Sequence, residues 1–206
     1  MKIITISREF GSGGRELGKR LADEIGFDYY DKEIISAIAS NANLDENFVN
    51  NTLEENGWSN FSLTFHSSFG NMSIYNNQTN LLLEQTKVIE KIAQRGKDFI
   101  IIGRNADILL KDYNPFNIFV CANMDAKILR CSQRAPENEH LTRKELEKKI
   151  KSIDKNRANT RSIIDDSVWG DRKSYNLIIN TTDWNIKYLT PVVADFARAW
   201  FNKENL

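Results

Sequence analysis

The N-terminal stretch Lys2–Gly26 is the feature that most restricts how this chain can fold. It opens with a short apolar, β-branched run, Ile3 to Ile6, which is typical of a strand buried on both faces of a parallel sheet. A glycine-rich turn follows, and apolar residues then recur at helical spacing up to Gly26, which predicts a helix that ends there. A strand, a glycine loop and a helix in this order predict an anion site, because backbone N–H groups and the positive end of the helix converge on it.

The glycine loop matches the P-loop pattern G-x-x-x-x-G-K-[S/T] only in part. In the alignment that continues directly from the strand, Arg8 stands at the first glycine, Gly14 at the lysine and Arg15 at the hydroxyl residue. A second alignment places Lys19 at the lysine, but it leaves a long gap after the strand and too short a helix. We prefer the first alignment and interpret Lys19 as a helix-surface residue. A plain strand–helix turn is the alternative to an anion site, yet three glycines in four residues exceed what a turn needs.

Length, charge and composition exclude several classes of protein. The 206 residues are enough for one α/β domain with an inserted lobe. The 28 basic and 28 acidic residues balance, which argues against a broad nucleic-acid surface and disfavours an RNA-binding protein. We find no secretory signal and no apolar run of membrane-spanning length, so no membrane partner is expected.

Cysteine and histidine usage indicates a reduced compartment and no metal held by side chains alone. Cys121 and Cys131 are the only cysteines and are predicted at a strand end and within a helix, so a structural disulfide is not expected. His66 and His140 are far apart in sequence and have no ligand-like neighbours. The cytoplasm is therefore the expected location.

Strands and helices alternate along the remaining chain, which predicts an α/β fold with a parallel sheet and helices on both faces. The predicted strands after the first are Phe27–Asp31, Phe99–Ile102, Asn117–Cys121 and Leu177–Ile179. The predicted helices after the first are Lys32–Ser40, Asp45–Glu55, Leu81–Gln94, Asp125–Arg134, Arg143–Arg161 and Ile186–Phe201. Asp31 is expected to cap the helix that follows it, and residues 56–71 are predicted to be a mobile loop.

Arginines stand where such a sheet forms its sites, at the carboxyl ends of the strands. Arg104 follows a buried strand directly, so its planar guanidinium is expected to face the cleft and bind two phosphate oxygens. Further charges repeat at one-turn spacing in three pairs: Arg130 and Arg134, Asp154 and Arg157, and Arg157 and Arg161. This spacing is common on solvated helix faces, but its place between two core strands favours a lid.

Four segments of the chain resemble the cytidylate-kinase-like family, relatives of the nucleoside monophosphate kinases within the P-loop fold. These segments are ISREFGSGGRELGKRLA, QTKVIEKIAQRGKDFIIIGRNAD, DKNRA and WGDRKSYNLIINT, and together they span nearly the whole chain. The resemblance implies a three-layer P-loop kinase fold with a five-stranded parallel sheet and helices on both faces. It also implies a single domain over residues 1–206, with a helical acceptor-binding insert at residues 31–80 and a lid at residues 136–172.

The resemblance further implies ATP-dependent phosphoryl transfer to a nucleoside monophosphate, cytidylate-like, or to another small phosphorylated acceptor, with ATP and Mg²⁺ as cofactors. On this interpretation the ATP-binding residues are Arg8, Gly11, Ser12, Gly13, Gly14, Arg15, Glu16, Arg130 and Arg134. The acceptor-binding residues are Asp31, Arg104, Asn105, Asp107 and Asp154. The catalytic residues are Arg15, Arg157 and Arg161.

Two departures from the family pattern leave a second interpretation open. The P-loop lysine and hydroxyl are absent, and Asn105 stands where the acceptor site has an aspartate, with Asp107 nearby. Arg8 or Arg15 could supply the missing charge, or the loss of the lysine could abolish catalysis. The alternative is a catalytically silent nucleotide- or anion-binding module. Small-molecule nucleotides are the expected partners in both cases, and the oligomeric state is left open.

Overall fold

The computed structural model of the chain describes residues 1–43, 45–46, 71–135 and 141–203. Strands and helices alternate along these residues, as the sequence predicts. The strands are β1 Ile3–Arg8, β2 Asp28–Tyr30, β3 Phe99–Ile102, β4 Phe116–Cys121 and β5 Leu177–Asn180. The helices are α1 Gly14–Ile25, α2 Lys32–Ala42, α3 Asn71–Gln94, α4 Ala106–Leu109, α5 Met124–Arg134, α6 Arg143–Ile164 and α7 Ile186–Asn202, with 3₁₀ turns at Lys111–Tyr113 and Arg172–Ser174.

The five strands form one parallel sheet in the order β2-β3-β1-β4-β5. Strand β1 is central and pairs with both β3 and β4, and all six of its residues are buried. This confirms the fold expected from the first apolar run, because only a strand covered on both faces is apolar at successive positions. The carboxyl ends of β1, β3 and β4 therefore lie side by side at one edge of the sheet.

Each face of the sheet carries its own hydrophobic core, which makes three layers. Alternate strand residues face opposite sides, so Ile3 points into one core and Ile4 into the other. The first core is completed by α2 and α3, and the second by α1 and α7. The glycine loop is thus held between a rigid central strand and a helix whose inner face is fully packed.

Helix α3 is longer than the sequence predicts, because it begins at Asn71 rather than at Leu81. The apolar periodicity starts only at Leu81, which is buried in the first core, and the preceding turns are rich in Asn and Thr. Helix propagation from the packed part of α3 accounts for the extension. The predicted helix at 45–55 and the loop predicted at 56–71 lie almost wholly outside the described residues.

Helix α6, which falls within the predicted lid, packs on a small cluster separate from the two main cores. Its Leu146 and Ile150 contact Ile128 of α5, with Phe10 of the glycine loop alongside. A capping box of Thr142 and Glu145 begins the helix. Among the residues that the structure describes, none of the helices is long and apolar enough to cross a membrane.

Candidate functional site

The glycine loop contains two left-handed glycines and leads directly into helix α1. Gly11 and Gly13 adopt left-handed conformations, with φ of 77° and 85°, which residues with a β-carbon rarely adopt. Helix α1 begins at Gly14, so its free N–H groups open towards the loop. Lys19 lies exposed in the middle of α1, as expected for a surface residue.

A cleft of 800 Å³ opens beside the loop and is strongly basic. Glu9 is the one acidic residue among the described residues that line it, and its carboxylate is already paired with Lys127. The basic residues lining the cleft are Arg8, Arg15, Lys32, Arg130, Arg134, Lys149 and Arg157. Such a concentration of positive charge in a chain without net charge favours a polyanionic ligand. Lys32 and Lys149 belong to none of the motifs, so the sequence alone does not predict their place in the cleft.

A second, smaller cavity of 40 Å³ lies at the carboxyl end of β3 and contains Arg104 and Asn105. Both residues are left-handed, with φ of 63° and 51°, and the amide of Gln85 donates to the Arg104 carbonyl at 3.0 Å. A left-handed arginine is strained and persists only where its surroundings hold it, which is typical of ligand sites. Trp169 and Thr160 also line this cavity.

Two arginines, Arg8 and Arg157, line both cavities. Arg8 ends the central strand and is only 6% exposed. Arg157 comes from α6, and its Nη1 donates to the Arg8 carbonyl oxygen at 2.8 Å. The two cavities therefore meet at a pair of guanidinium groups contributed by the sheet and by α6.

A partly buried cluster of charges lies beneath the loop and is not predicted from the sequence. Lys127 is 5% exposed, and its Nζ lies 3.0 Å from Glu9 Oε2 and 3.3 Å from Asp154 Oδ2. The other oxygen of Asp154 accepts the Phe10 N–H at 2.7 Å and lies 3.6 Å from Arg157 Nη1. The cluster thus ties α6 to the backbone of the loop. The available signal was helical spacing, because Lys127 shares a face with Arg130 and Arg134.

Asp154 should make stability depend on pH. Burial raises the pKa of the Asp154 carboxyl from its ordinary value of 3.8, against the Phe10 N–H and the charges of Arg157 and Lys127. Because the folded protein binds this proton more tightly than the unfolded chain, protonated Asp154 favours the folded state. This stabilisation is complete below the pKa of Asp154 in the unfolded chain, and it is lost as the pH rises through its higher pKa in the folded protein. Denaturation between about pH 4 and pH 7 should show wild type losing stability relative to Asp154→Asn as the pH rises.

Asp23→Asn, at an exposed position on α1, is the control for removing one surface charge. It should show no such trend. A difference between wild type and Asp154→Asn that is constant across the pH range would contradict the prediction.

Arg130 holds the loop from the other side rather than reaching freely into the cleft. Its guanidinium donates to the Ser12 carbonyl at 3.5 Å, to Thr181 and to the Trp184 carbonyl at 3.3 Å. The buried hydroxyl of Thr181 also donates to the Ser12 carbonyl, at 2.6 Å. Burial, together with neighbouring Arg134, lowers the pKa of Arg130. The Ser12 hydroxyl donates to the Glu9 carbonyl at 2.8 Å, so this side chain points into the loop.

Arg15 lines the cleft and pairs with Asp31, at the start of the segment predicted as the acceptor insert. Its Nε lies 2.6 Å from Asp31 Oδ2, and its Nη2 donates to Asp31 Oδ1 at 3.3 Å. The Asp31 side chain therefore pairs with Arg15 and does not cap α2, contrary to the sequence prediction. Burial, with Asp31 next in size, raises the pKa of adjacent Tyr29. Glu16 pairs with Arg134, which joins α1 to α5.

Asp107 and Arg161 form a buried ion pair outside the linings of both cavities. Asp107 Oδ2 lies 2.6 Å from Arg161 Nη1, and the side chains are 3% and 2% exposed. Arg161 Nε also donates to Ser167 Oγ at 2.9 Å, and its guanidinium lies 5.6 Å from the ring centre of Tyr175. The two residues join α4 to α6, and in this conformation neither faces the cleft.

A family model matches most of the chain. Residues 3–183 match the cytidylate kinase-like family. The chain belongs to the cytidylate kinase-like family. The match covers the glycine loop, the Arg104 turn and helix α6, so the predicted resemblance is confirmed. A search of curated proteins found no significant match.

Solved structures similar to this cytidylate kinase-like chain share its fold across almost the whole length. An uncharacterized protein from Eubacterium ventriosum ATCC 27560 has a TM-score of 0.70 at 23% identity, covering 97% of this chain and 99% of that one. Shikimate kinase from Bacteroides thetaiotaomicron has a TM-score of 0.54 at 14% identity, covering 96% and 98%. Shikimate kinase from Acinetobacter baumannii, in complex with shikimate, has 0.55 at 12% identity, covering 97% and 94%. These values confirm a P-loop kinase fold, and family and fold together support a phosphotransferase.

A kinase-like family implies ATP and Mg²⁺ as cofactors, and the residues of this chain fit ATP better than Mg²⁺. The left-handed glycines and the basic cleft fit the phosphates of ATP. The hydroxyl ligand for Mg²⁺ is absent, since Arg15 stands at its position and the Ser12 hydroxyl donates to Glu9. Within the described residues, no three His, Cys, Asp or Glu side chains group as a metal site. The side chains present therefore do not fit a directly held Mg²⁺.

Proposed function

We propose that this protein transfers the terminal phosphoryl group of ATP to a small phosphorylated acceptor, with a nucleoside monophosphate as the first candidate. The observation that carries the proposal is the meeting of two cavities at Arg8 and Arg157. The larger cavity lies on the glycine loop, where a triphosphate would bind. The smaller one, of 40 Å³, contains Arg104 and would take only the phosphate group of an anionic acceptor. A phosphoryl group passing between them would lie beside both guanidinium groups.

The proposed chemistry requires positioning and charge neutralisation rather than a side-chain base. Phosphoryl transfer places developing charge on oxygen atoms, and fixed cations stabilise it. A phosphate acceptor is already ionised at neutral pH, so no proton needs to be removed from it. Arg8 contributes charge from the rigid sheet and Arg157 from helix α6. Arg104 would hold the acceptor.

The insert and the lid are part of this proposal. Residues 31–80 would form the acceptor side, which the Arg15–Asp31 ion pair joins to the start of α1. Residues 136–172 would form the lid, whose helix α6 carries Arg157 and packs on a cluster separate from the main cores. Opening of the lid would break the contacts of Asp154 and Arg161 but would leave the two main cores intact, so it requires less free energy than opening of the sheet.

Turnover with magnesium present tests the proposal. ADP formation would be measured with ATP, Mg²⁺ and a panel of nucleoside monophosphates and small phosphomonoesters. A thermal-shift measurement with the same compounds reports binding separately, because a site filled at 100 times its dissociation constant adds about 2.7 kcal/mol of stability. Acceptor-dependent ADP formation is the expected result. Binding of ATP without turnover on any acceptor would contradict it and favour the silent module.

The silent nucleotide-binding module remains the second candidate because of one specific observation. A β-carbon at Gly14 would lie 2.6 Å from Arg8 Cβ, so the Arg8 side chain leaves no room for a side chain at the lysine position. Arg15, at the hydroxyl position, is held by Asp31. Both side chains that P-loop enzymes use to hold the β- and γ-phosphates and Mg²⁺ are thus missing.

Replacement of Arg104 by alanine should separate acceptor binding from donor binding. Arg104 lines only the smaller cavity, so Arg104→Ala should weaken acceptor binding about tenfold or more and leave the affinity for ATP nearly unchanged. Calorimetric titration with each ligand measures the two affinities. Lys19→Ala is the matched control at an exposed position and should change neither. Equal losses for both ligands would contradict this assignment.

A further inference from the structure

The side chain of Arg8 occupies the space that two glycines leave open. A β-carbon added at Gly103 would overlap Arg8 Nη1 and lie 2.9 Å from Arg8 Cζ, so the guanidinium rests directly on the turn after β3. A β-carbon added at Gly14 would lie 2.6 Å from Arg8 Cβ and 3.2 Å from Arg8 Cγ. The Arg8 side chain thus lies against both glycines. At Gly103 the positive φ of 69° also favours glycine, and at Gly14 an added β-carbon would also lie 3.2 Å from Val120 Cβ.

Arg8 and Gly14 are the first and seventh positions of the loop pattern, where a standard P-loop has glycine and lysine. Compared with the standard pattern, the large and the small side chain are therefore swapped between positions 8 and 14, which contact each other. In the standard pattern the large cationic side chain starts from the helix and the small residue ends the strand. Here the strand ends in the cation and the helix starts with the small residue.

We propose that Arg8 carries the role of the missing P-loop lysine, reaching the donor's β- and γ-phosphates from the strand instead of from the helix. This inference rests on the proposed function, because it assumes that the loop binds a nucleotide. Two features place Arg8 suitably: it lines both cavities, and it is held at the end of the fully buried central strand. Its carbonyl is fixed in addition by Arg157, at 2.8 Å.

The other two candidate cations of the loop, Arg15 and Arg130, line the larger cavity but not the smaller one. Arg15 forms two contacts with Asp31, and Arg130 donates to the carbonyls of Ser12 and Trp184. Arg8 alone among these three already lies where the two cavities meet.

A reciprocal exchange tests the inference. Arg8→Gly, Gly14→Lys and the double variant R8G/G14K would be titrated calorimetrically with ADP, AMP, pyrophosphate and phosphate. Arg8→Gly should lower the affinity for ADP and pyrophosphate about tenfold or more, and that for AMP and phosphate by much less. Gly14→Lys alone should bind poorly, because its β-carbon meets Arg8. The double variant has the standard glycine and lysine and should recover affinity for ADP to within about threefold of wild type.

Further variants keep the result decisive if one protein folds poorly. Arg8→Lys keeps the charge and should retain more pyrophosphate affinity than Arg8→Gly, while Lys19→Ala should match wild type; thermal melting checks folding in each case. Wild-type affinity for pyrophosphate in Arg8→Gly would overturn the inference, as would a double variant that folds but binds no better than the poorer single variant. If only the proposed function is wrong, the wild-type protein will bind pyrophosphate, Arg8→Gly will weaken that binding, and no phosphoryl transfer will be detected.

Discussion

Replacement of Arg161 by methionine should lower the free energy of unfolding by about 3–5 kcal/mol. The substitution leaves the Asp107 carboxylate 3% exposed and without its cation, and within the described residues Asp107 Oδ1 accepts no hydrogen bond from elsewhere. A buried charge that loses its partner retains the full loss of hydration without any compensating attraction. Urea denaturation followed by circular dichroism measures the change.

Two further variants separate this effect from a general loss of packing. The double variant Asp107→Leu/Arg161→Met removes both charges and should recover most of the lost stability, since apolar replacements of buried pairs are often neutral. Arg198→Met removes an arginine that is 49% exposed and should change stability by no more than about 1 kcal/mol. If Arg161→Met is as stable as Arg198→Met, the ion pair does not hold α4 and α6 together.

Replacement of Arg157 by alanine should lower kcat by about 10²–10³, with a much smaller change in KM for ATP. Arg157 lines both cavities and comes from α6, so it would contact the phosphoryl group in transit more than either bound substrate. An interaction that strengthens only in the transition state appears in kcat. Steady-state kinetics with the acceptor identified in the turnover screen measures both parameters.

Lys155→Ala is the matched control for Arg157→Ala. Lys155 lies exposed on the same helix, two positions away, and its loss removes an equal charge. It should leave kcat within about twofold of wild type, whereas Arg157→Lys should fall between wild type and alanine because the guanidinium fork is lost. Equal kcat values for Arg157→Ala and Lys155→Ala would show that Arg157 only links α6 to the loop.

Arg161→Met and Arg157→Ala also distinguish two arginines whose roles the sequence could not separate. Arg157 and Arg161 are one helical turn apart and were predicted to share a catalytic role. In the fold, Arg157 reaches the Arg8 carbonyl at the cleft, while Arg161 is buried against Asp107. Helical spacing places residues on one face, but it does not say what each side chain meets. The predicted catalytic role of Arg161 stays a prediction, and the structure supplies a different reason for its presence.

In the glycine loop, too, the sequence predicts the position of each residue but not the contacts of its side chain. The register was predictable because helix α1 must begin where the glycines end, and the structure places its start at Gly14. The direction of each arginine was not predictable. Arg15 turns to Asp31, and Arg8 lies over Gly103, a residue far away in sequence. The Lys127 cluster was missed for a related reason, because its partners Glu9 and Asp154 come from distant parts of the chain.

The sequence by itself determined the parallel sheet, the glycine loop and the family, because these depend on local properties: apolar runs of strand length, glycines at left-handed positions and helical periodicity. The tertiary structure alone decided which charged side chains face the cleft and which are buried in pairs. That choice depends on space and counter-charges contributed by other elements, such as the room that Gly14 and Gly103 leave for Arg8. The pairing of β1 with β3 brings Arg8 close to Gly103, and no local sequence pattern predicts that pairing.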